Sequence, residues 1–381
     1  MSPKQIDKAI NSFGKLPYRK EPYLKKNWGH PIQSLCSYPS KLKPSIANVL
    51  IKNFSNPKDK VLDPFCGCGT VPFEACNEGR NGIGVDLSPF AHYITLAKVN
   101  IPDKKSVMYD INKLECYIKE NINQVDINSQ NVEDEIKEFF HEKTMKEIIL
   151  SKQFLLNKQG LKREKYAIIW ASIAHILHGN RPYALSRRSH NIIPIPPKGE
   201  IKYKSLIKSL TEKINRSYLK PLNRTYIKGK ALNNSAFNLP FKDETIDSII
   251  TSPPFLGTTE FLRQNRIRLW YAGWNYDYQN KSKKKFLEYE KSLDSYRKLL
   301  DEMFRILKKG GLLIIHLGVV KELDMANEIL PFARDSGFKE KGLIYEDVKK
   351  LENHGRTDRG GTHTHQFLFL LKPRILIPQD R

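Results

Sequence analysis

Residues 60–79 read KVLDPFCGCGTVPFEACNEG. A short apolar run, Val61-Leu62, ends in Asp63-Pro64, passes through Gly67-Cys68-Gly69, and opens into a segment with helical spacing. Strand, glycine loop, helix is the first unit of a doubly wound α/β sheet, because glycine lets the backbone at a strand tip approach a ligand. The next apolar run, NGIGVDLS, ends in Asp86, about twenty residues beyond the loop. The loop is not G-x-G-x-x-G and lacks the Gly-Lys-Ser/Thr of a phosphate loop. With Asp63 at one strand tip and Asp86 at the next, one carboxylate is available for a ligand ammonium and the other for a ribose diol.

Outward from that unit the pattern repeats. Residues 90–100 predict a helix, and TIDSIITSPPF (245–255) predicts a strand, Ile246 to Ile250, ending in a polar-proline turn. The stretch 286–309 predicts one long helix, closed by Lys308, Lys309 and the pair Gly310-Gly311. Strands follow at LLIIHLG, GLIYED and HQFLFLLK. Between the two α/β ends, residues 110–180 are helical in period, 181–200 hold four prolines and predict an irregular loop, and 201–220 predict a basic helix. The expected division is therefore a catalytic domain from 1–100 and 225–381, with 101–224 inserted.

The chain has 381 residues and a formal net charge of +23. That excess falls in blocks: +9 over residues 1–60, +13 over 161–230 and +7 over 261–310. The intervening stretches, which hold the motifs, are close to neutral. Aromatics interleave with the second block (Tyr166, Trp170, Tyr183, Tyr203, Tyr218, Tyr226), the pattern of a nucleic-acid contact surface. No apolar run approaches the ~18 residues that cross a bilayer, and the first twenty residues lack a signal-peptide core. Five cysteines do not make a disulfide framework, and Cys66 and Cys68 lack zinc-ligand spacing, so a reduced, cytoplasmic protein without metal is expected.

Thr251-Ser252-Pro253-Pro254-Phe255 is the second chemical motif. Two prolines fix the backbone and remove two N–H donors, leaving carbonyls beside a hydroxyl and an aromatic ring. Such a group can accept hydrogen bonds from an exocyclic amine and stack on its base. Together, DPFCGCGT and TSPPF resemble the D-P-F-x-G-x-G-T and S/T-S-P-P-Y/F motifs of S-adenosylmethionine-dependent DNA amino-methyltransferases, the second in the form typical of N4-cytosine enzymes. YPSKLKPSIANVLI (38–51), FNLPFKDETIDSIITSPPF (237–255), EMFRILKKGGLLIIHLG (302–318) and HQFLFLLKP (365–373) are similar to the same family's flanking segments.

The resemblance implies a Rossmann-like α/β sheet with helices on both faces, S-adenosylmethionine as cofactor and double-stranded DNA as partner, with the mainly helical basic insertion reading the target sequence. It implies cofactor contacts from Tyr38, Asp63, Pro64, Phe65, Gly67, Gly69, Thr70 and Asp86. Ser235 joins them, although many relatives carry Gly-Asp-Ala where this chain has Asn234-Ser235-Ala236. Ser252, Pro253 and Pro254 would hold the target amine, and Phe255 would stack on a base flipped out of the duplex. Arg181, Arg187, Arg188, His190 and Asn191 in the insertion, with Arg263, Arg266 and Arg268 after TSPPF, are the expected DNA contacts. A functionally linked restriction endonuclease is the expected cellular companion. N6-adenine transfer, RNA guanine-amino transfer and a non-catalytic DNA-binding subunit are the alternatives; C5-cytosine chemistry is excluded because no cysteine follows a proline. His316 is expected to be a core histidine, and His363 and His365 alternate on a strand or loop.

Overall fold

Val61, Ile250, Leu312, Ile314, Phe367 and Phe369 bury against one helical layer, while Leu62, Ile249, Leu313, Ile315, Leu368 and Leu370 bury against another. That alternation by single residues is the period of a strand covered on both faces. The computed structural model describes residues 1–25, 28–130, 132–156, 164–190, 193–255, 260–290, 292–320, 322–348 and 362–374.

Five strands run parallel in the order β3-β2-β1-β4-β5: β1 (Lys60–Asp63), β2 (Asn81–Asp86), β3 (Lys230–Asn233), β4 (Ile246–Thr251) and β5 (Leu307–Val320). The short β6 (Leu323–Asp324) pairs with the end of β5. β7 (Lys339–Asp347) forms the far edge, and β8 (Thr362–Leu371) lies antiparallel between β5 and β7. The strand order changes direction between β1 and β4. A doubly wound sheet opens its crevice at that point, outside the carboxyl ends of the strands. Both chemical motifs sit there.

Helices α1 (Pro3–Gly14), α2 (Pro44–Phe54) and α3 (Thr70–Asn77) contribute to one layer, and α4 (Pro89–Val99) follows β2. Proline in the first turn starts α1, α2 and α4, and Ser2 and Ser88 cap two of them. Between α4 and β3 the chain makes α5 (Lys104–Asn121), α6 (Asp134–Lys137), α7 (Glu142–Leu156), α8 (Glu164–Ile176) and α9 (Leu206–Ser217). These do not stand apart from the sheet domain. Phe73, Phe90, Ile94 and Ala97 share one continuous core with Ile111, Ile148, Trp170 and Leu210. After β4, α10 (Phe261–Gln264), α11 (Arg266–Tyr271) and α12 (Tyr276–Ser282) pack into that same core through Phe261, Leu269, Trp270 and Tyr271. Helices α13 (Ser295–Ile306) and α14 (Met325–Asp335) contribute to the core against the other face of the sheet.

One expectation needs correction, and one strand was not expected. The helix predicted over 286–309 is only α13, and Gly310-Gly311 does not cap it. Leu307 already pairs with Ile246 of β4, Lys308 reaches Asp247, and Gly310 N–H donates to the Lys372 carbonyl. Strand pairing on both sides captures these residues before a helical turn can close. β3, only four residues long and flanked by polar segments, carries no alternation that would announce it.

Gly82 in β2 is required by close approach rather than by dihedral angle. A Cβ there would lie 2.1 Å from the Pro72 carbonyl oxygen and 2.8 Å from Cys76 Sγ on α3. Gly82→Ala should therefore destabilise the fold by roughly 2 kcal/mol or more, as overpacking does. Urea unfolding measures this, and a variant as stable as the parent would show that β2 and α3 separate freely.

Candidate active site

At the crevice between β1 and β4 lies a cavity of about 280 Å³. Tyr38, Asp63, Pro64, Phe65, Gly67, Thr70 and Asp86 line it from one side, Ser235 from another, and Ser252, Pro253, Pro254 and Phe255 from a third. The structure thus brings into one space residues from five separated stretches of the chain. Gly69 does not line the cavity. Its φ of +71° starts α3, and a Cβ there would strike Thr95, so it shapes the loop from behind. Gly67, φ +49°, lies under the Tyr38 ring, which a Cβ would meet at 2.9 Å. Tyr38 in turn stacks on Phe90 with ring centroids 5.7 Å apart.

The two loops are tied together. The buried Asp63 Oδ1 accepts from the Thr251 hydroxyl at 2.7 Å and from Phe65 N–H at 3.1 Å. Asp86 accepts from Gly67 N–H and Ser88 N–H, each at 2.9 Å, so it braces the glycine loop. Ser235 Oγ accepts from Phe237 N–H at 3.2 Å. The Pro254 carbonyl accepts from the Tyr296 hydroxyl at 3.3 Å.

Two further residues carry chemistry that the sequence did not announce. Glu288, on a short turn after α12, lines the cavity and is 5% exposed, with its Oε1 buried and without a partner among the described residues. His316, on β5, also lines it, and its Nδ1 lies 2.9 Å from Ser252 Oγ. Nothing in the spacing of Glu288 marks it; a turn far along the chain folds it back. For His316 the only signal was a polar residue inside an apolar strand. Burial is the main cause that pushes the carboxyls of Asp63 and Glu288 up to about 7 and of Asp86 up to about 6. Three carboxyls around one cavity suit a cation that would share their charge. No group of three or more His, Cys, Asp or Glu side chains able to hold a metal occurs among the described residues.

The expected DNA contacts separate. Arg188 and His190 are exposed, and Arg263 is exposed beside Glu260. Arg187 donates to the Gly199 and Glu138 carbonyls, and Arg181 to Ser37 Oγ at 2.8 Å, next to the cavity residue Tyr38. Arg266 pairs with Glu135 and lies over the Tyr276 ring, tying α11 to α6. Arg268 is a correction: it is fully buried, its Nε donating to the Ala174 carbonyl and its Nη1 to Asn265 Oδ1. Asn191 lies outside the described residues, as does the side chain of His363. His365 lines the cavity.

A family model described as DNA methylase matches residues 15–98, the span holding Tyr38, the glycine loop and Asp86. The chain is 26% identical over 281 residues to the type II methyltransferase M.BsoBI of Geobacillus stearothermophilus, covering 65% of this chain and 54% of that protein. It is 26% identical over 141 residues to the type II methyltransferase M.MjaII of Methanocaldococcus jannaschii, covering 36% and 25%. The alignments thus span between a quarter and about half the length of these relatives. A solved SAM-dependent methyltransferase from Methanosarcina mazei aligns over 85% of this chain and 97% of its own, at 10% identity and a TM-score of 0.35. No described helix is long and apolar enough to cross a membrane.

Because burial raises the Glu288 carboxyl from its ordinary value of about 4.5 to about 7, ionising it costs the fold stability as the pH climbs through that interval. A carboxyl whose folded value is raised destabilises as pH rises between about 4.5 and about 7. Glu288→Gln should therefore stabilise the protein at pH 8, by something on the order of 3 kcal/mol, and hardly change it at pH 4. Thermal unfolding of both proteins across that range checks the sign, and equal shifts at both ends would refute it.

Proposed function

We propose that the chain transfers a methyl group from S-adenosylmethionine to the exocyclic N4 amine of cytosine in duplex DNA, as the modification enzyme of a restriction–modification system. The observation that carries this is the single cavity faced by the acid-lined glycine loop on one side and by Ser252-Pro253-Pro254-Phe255 on the other. The similarity to DNA methylases over residues 15–98 and to type II methyltransferases over longer spans supports the cofactor and the substrate class.

The residues present fit the cofactor. Its positively charged centres match the buried carboxyls of Asp63, Asp86 and Glu288, the last with Oε1 unpartnered among the described residues, and the positive φ of Gly67 keeps the loop backbone low beneath Tyr38. Asp63, Phe65, Gly67 and Thr70 would hold the amino-acid part and Asp86 the ribose hydroxyls, with Tyr38, Pro64 and Ser235 closing around them. When bound, the cofactor supplies a methyl group already activated by its sulfonium. The protein then has to present a nucleophile and keep water out. Ser252 Oγ and the Pro253 carbonyl accept hydrogen bonds from the target amine, which localises its lone pair. Phe255 offers a face for the flipped base, whose extrusion costs a few kcal/mol. A Cβ on Gly318 would sit 2.8 Å from the Phe255 ring, so the bare backbone of β5 makes room for that aromatic. The TSPPF form of the loop is what favours cytosine N4 over adenine N6.

DNA would lie across exposed cations of the three basic blocks. Arg188, His190 and Arg263 are exposed and would contact the DNA, whereas Arg181 binds Ser37 beside the cavity and Arg266 and Arg187 bind within the protein, to Glu135 and to the Gly199 carbonyl.

Incubating plasmid DNA with labelled cofactor and digesting it to nucleosides should give N4-methylcytosine. N6-methyladenine as the sole product would move the assignment to adenine, and no labelled base would leave a DNA-binding subunit. Ser252→Ala should lower turnover by roughly 100-fold or more while cofactor affinity holds, judged by the effect of removing one preorganised hydrogen-bonding group. DNA affinity should also fall by roughly 1,000-fold between 50 and 200 mM salt if about six phosphates are contacted. A flat salt response would mean that the basic blocks face elsewhere.

A further inference from the structure

The mechanism above gives Ser252 a job that its hydroxyl cannot perform alone. A serine hydroxyl has two lone pairs and one proton. To accept from an amine, which brings only N–H groups, the serine must direct its own proton away from the substrate. If that proton points into the cavity, donor faces donor and the hydrogen bond is lost. An acceptor behind the serine is therefore required.

His316 stands in that position. The pairing of β4 with β5 sets Thr251 opposite Ile315, so the next residues along each strand, Ser252 and His316, come side by side. The 2.9 Å separation of Ser252 Oγ and His316 Nδ1 is a hydrogen bond in either direction. The imidazole is 7% exposed and wedged among rings, with centroids 4.9 Å from Phe367, 4.7 Å from His365 and 5.8 Å from Phe255. Its Nε2 is buried with no partner among the described residues. Packing on β8 and on the catalytic loop thus fixes the ring plane and aims Nδ1 at the serine. Burial, with His365 adding to it, holds the ring well below the ordinary imidazole value, so it stays neutral. A protonated ring could only donate.

We propose that His316 is the positioning residue of the catalytic loop: neutral and protonated on Nε2, it accepts the Ser252 hydroxyl proton at Nδ1 and turns the serine's lone pairs toward the target amine. This rests on Ser252 being the amine acceptor. It assigns the tautomer, because the alternative, with Nδ1–H donating to Oγ, would leave the serine proton facing the substrate. The N–H on Nε2 is the cost of keeping Nδ1 free as an acceptor, and no side chain shares it among the described residues.

Side-chain isosteres separate this role from packing. The amide of asparagine puts its oxygen near the place of Nδ1, whereas glutamine reaches toward the place of Nε2, and phenylalanine fills the volume with neither. His316→Asn should keep single-turnover methylation within about threefold of the parent, while His316→Phe and His316→Gln should lower it roughly ten- to hundredfold, the usual effect of losing one catalytic hydrogen bond. Cofactor affinity, measured by calorimetry, should be equal in all four proteins. His316→Phe at the parent rate, or His316→Asn as slow as His316→Phe at unchanged cofactor affinity, overturns the proposal. A second measurement does not depend on turnover. In protein labelled with ¹⁵N-histidine, His316 should show a protonated Nε2 and an unprotonated Nδ1 at neutral pH. The Nδ1 resonance should move in Ser252→Ala. A protonated Nδ1 sinks the proposal even if the enzyme methylates DNA, and absence of methyl transfer by the parent protein sinks the functional assignment instead, whatever the tautomer.

Discussion

A hydrogen bond from the Thr251 hydroxyl to Asp63 Oδ1, 2.7 Å long and inside the protein, joins two loops that are 188 residues apart in the chain. An ionisable carboxyl in the interior is tolerated only where polar partners surround it. Asp63 finds them in Thr251 and in the Phe65 amide, both at the tips of adjacent parallel strands. The pairing of Leu62 with Ile249 brings those tips level. Everything at the site follows from that alignment. The glycine loop leaves β1, the Ser-Pro-Pro turn leaves β4, and the two diverge around one cavity. If β4 slipped by a single residue, Thr251 would turn to the other face and Ser252 would be withdrawn from His316.

Charge needs the same attention to place. The excess of basic residues is clustered along the chain, but several of its members are internal. Lys213 is buried with Nζ donating to the Ser34 carbonyl, and burial presses its ammonium down to about 7. Lys98 is fully buried and donates to the Gln33 backbone and side-chain oxygens, and Arg268 sits beneath Phe90. These cations hold the segment 33–38 and α11 against the helical layer, using carbonyl groups as their solvation shell. A net charge counts them equally with the exposed Arg188, although only the latter can meet a polyanion at the surface. The helical segment from 101 to 224 therefore does two things: its inward face completes the core over α4, and its outward face carries exposed charge.

The opening unit was legible because each of its features is local. A strand tip, a positive-φ glycine, a helix and a second carboxylate at fixed spacing leave a signature in consecutive residues. Ser-Pro-Pro-Phe is similarly self-contained, since two prolines constrain the backbone wherever they stand. The end of α13 was misread for the same reason. Lys308-Lys309-Gly310-Gly311 has the local chemistry of a helix stop, but pairing with Ile246 and with Lys372 draws those residues into β5 first. Tertiary pairing overrode local preference.

Neighbours along the chain were enough to mark most of the strands and helices, the two motifs and the order in which they occur; β3 and the end of α13 were not marked in this way. Which side chains share the cavity depends on contacts between distant parts of the chain. Glu288 enters it from a turn and His316 from the strand beside Ser252, each through contacts between residues far apart in sequence. The same kind of contact makes Arg268 a core cation rather than a surface one, since α11 folds inward against Ala174 and Phe90. Periodicity reports which face of an element is apolar. It does not report which polar residue another element will bring against that face, and that is set by packing and strand register.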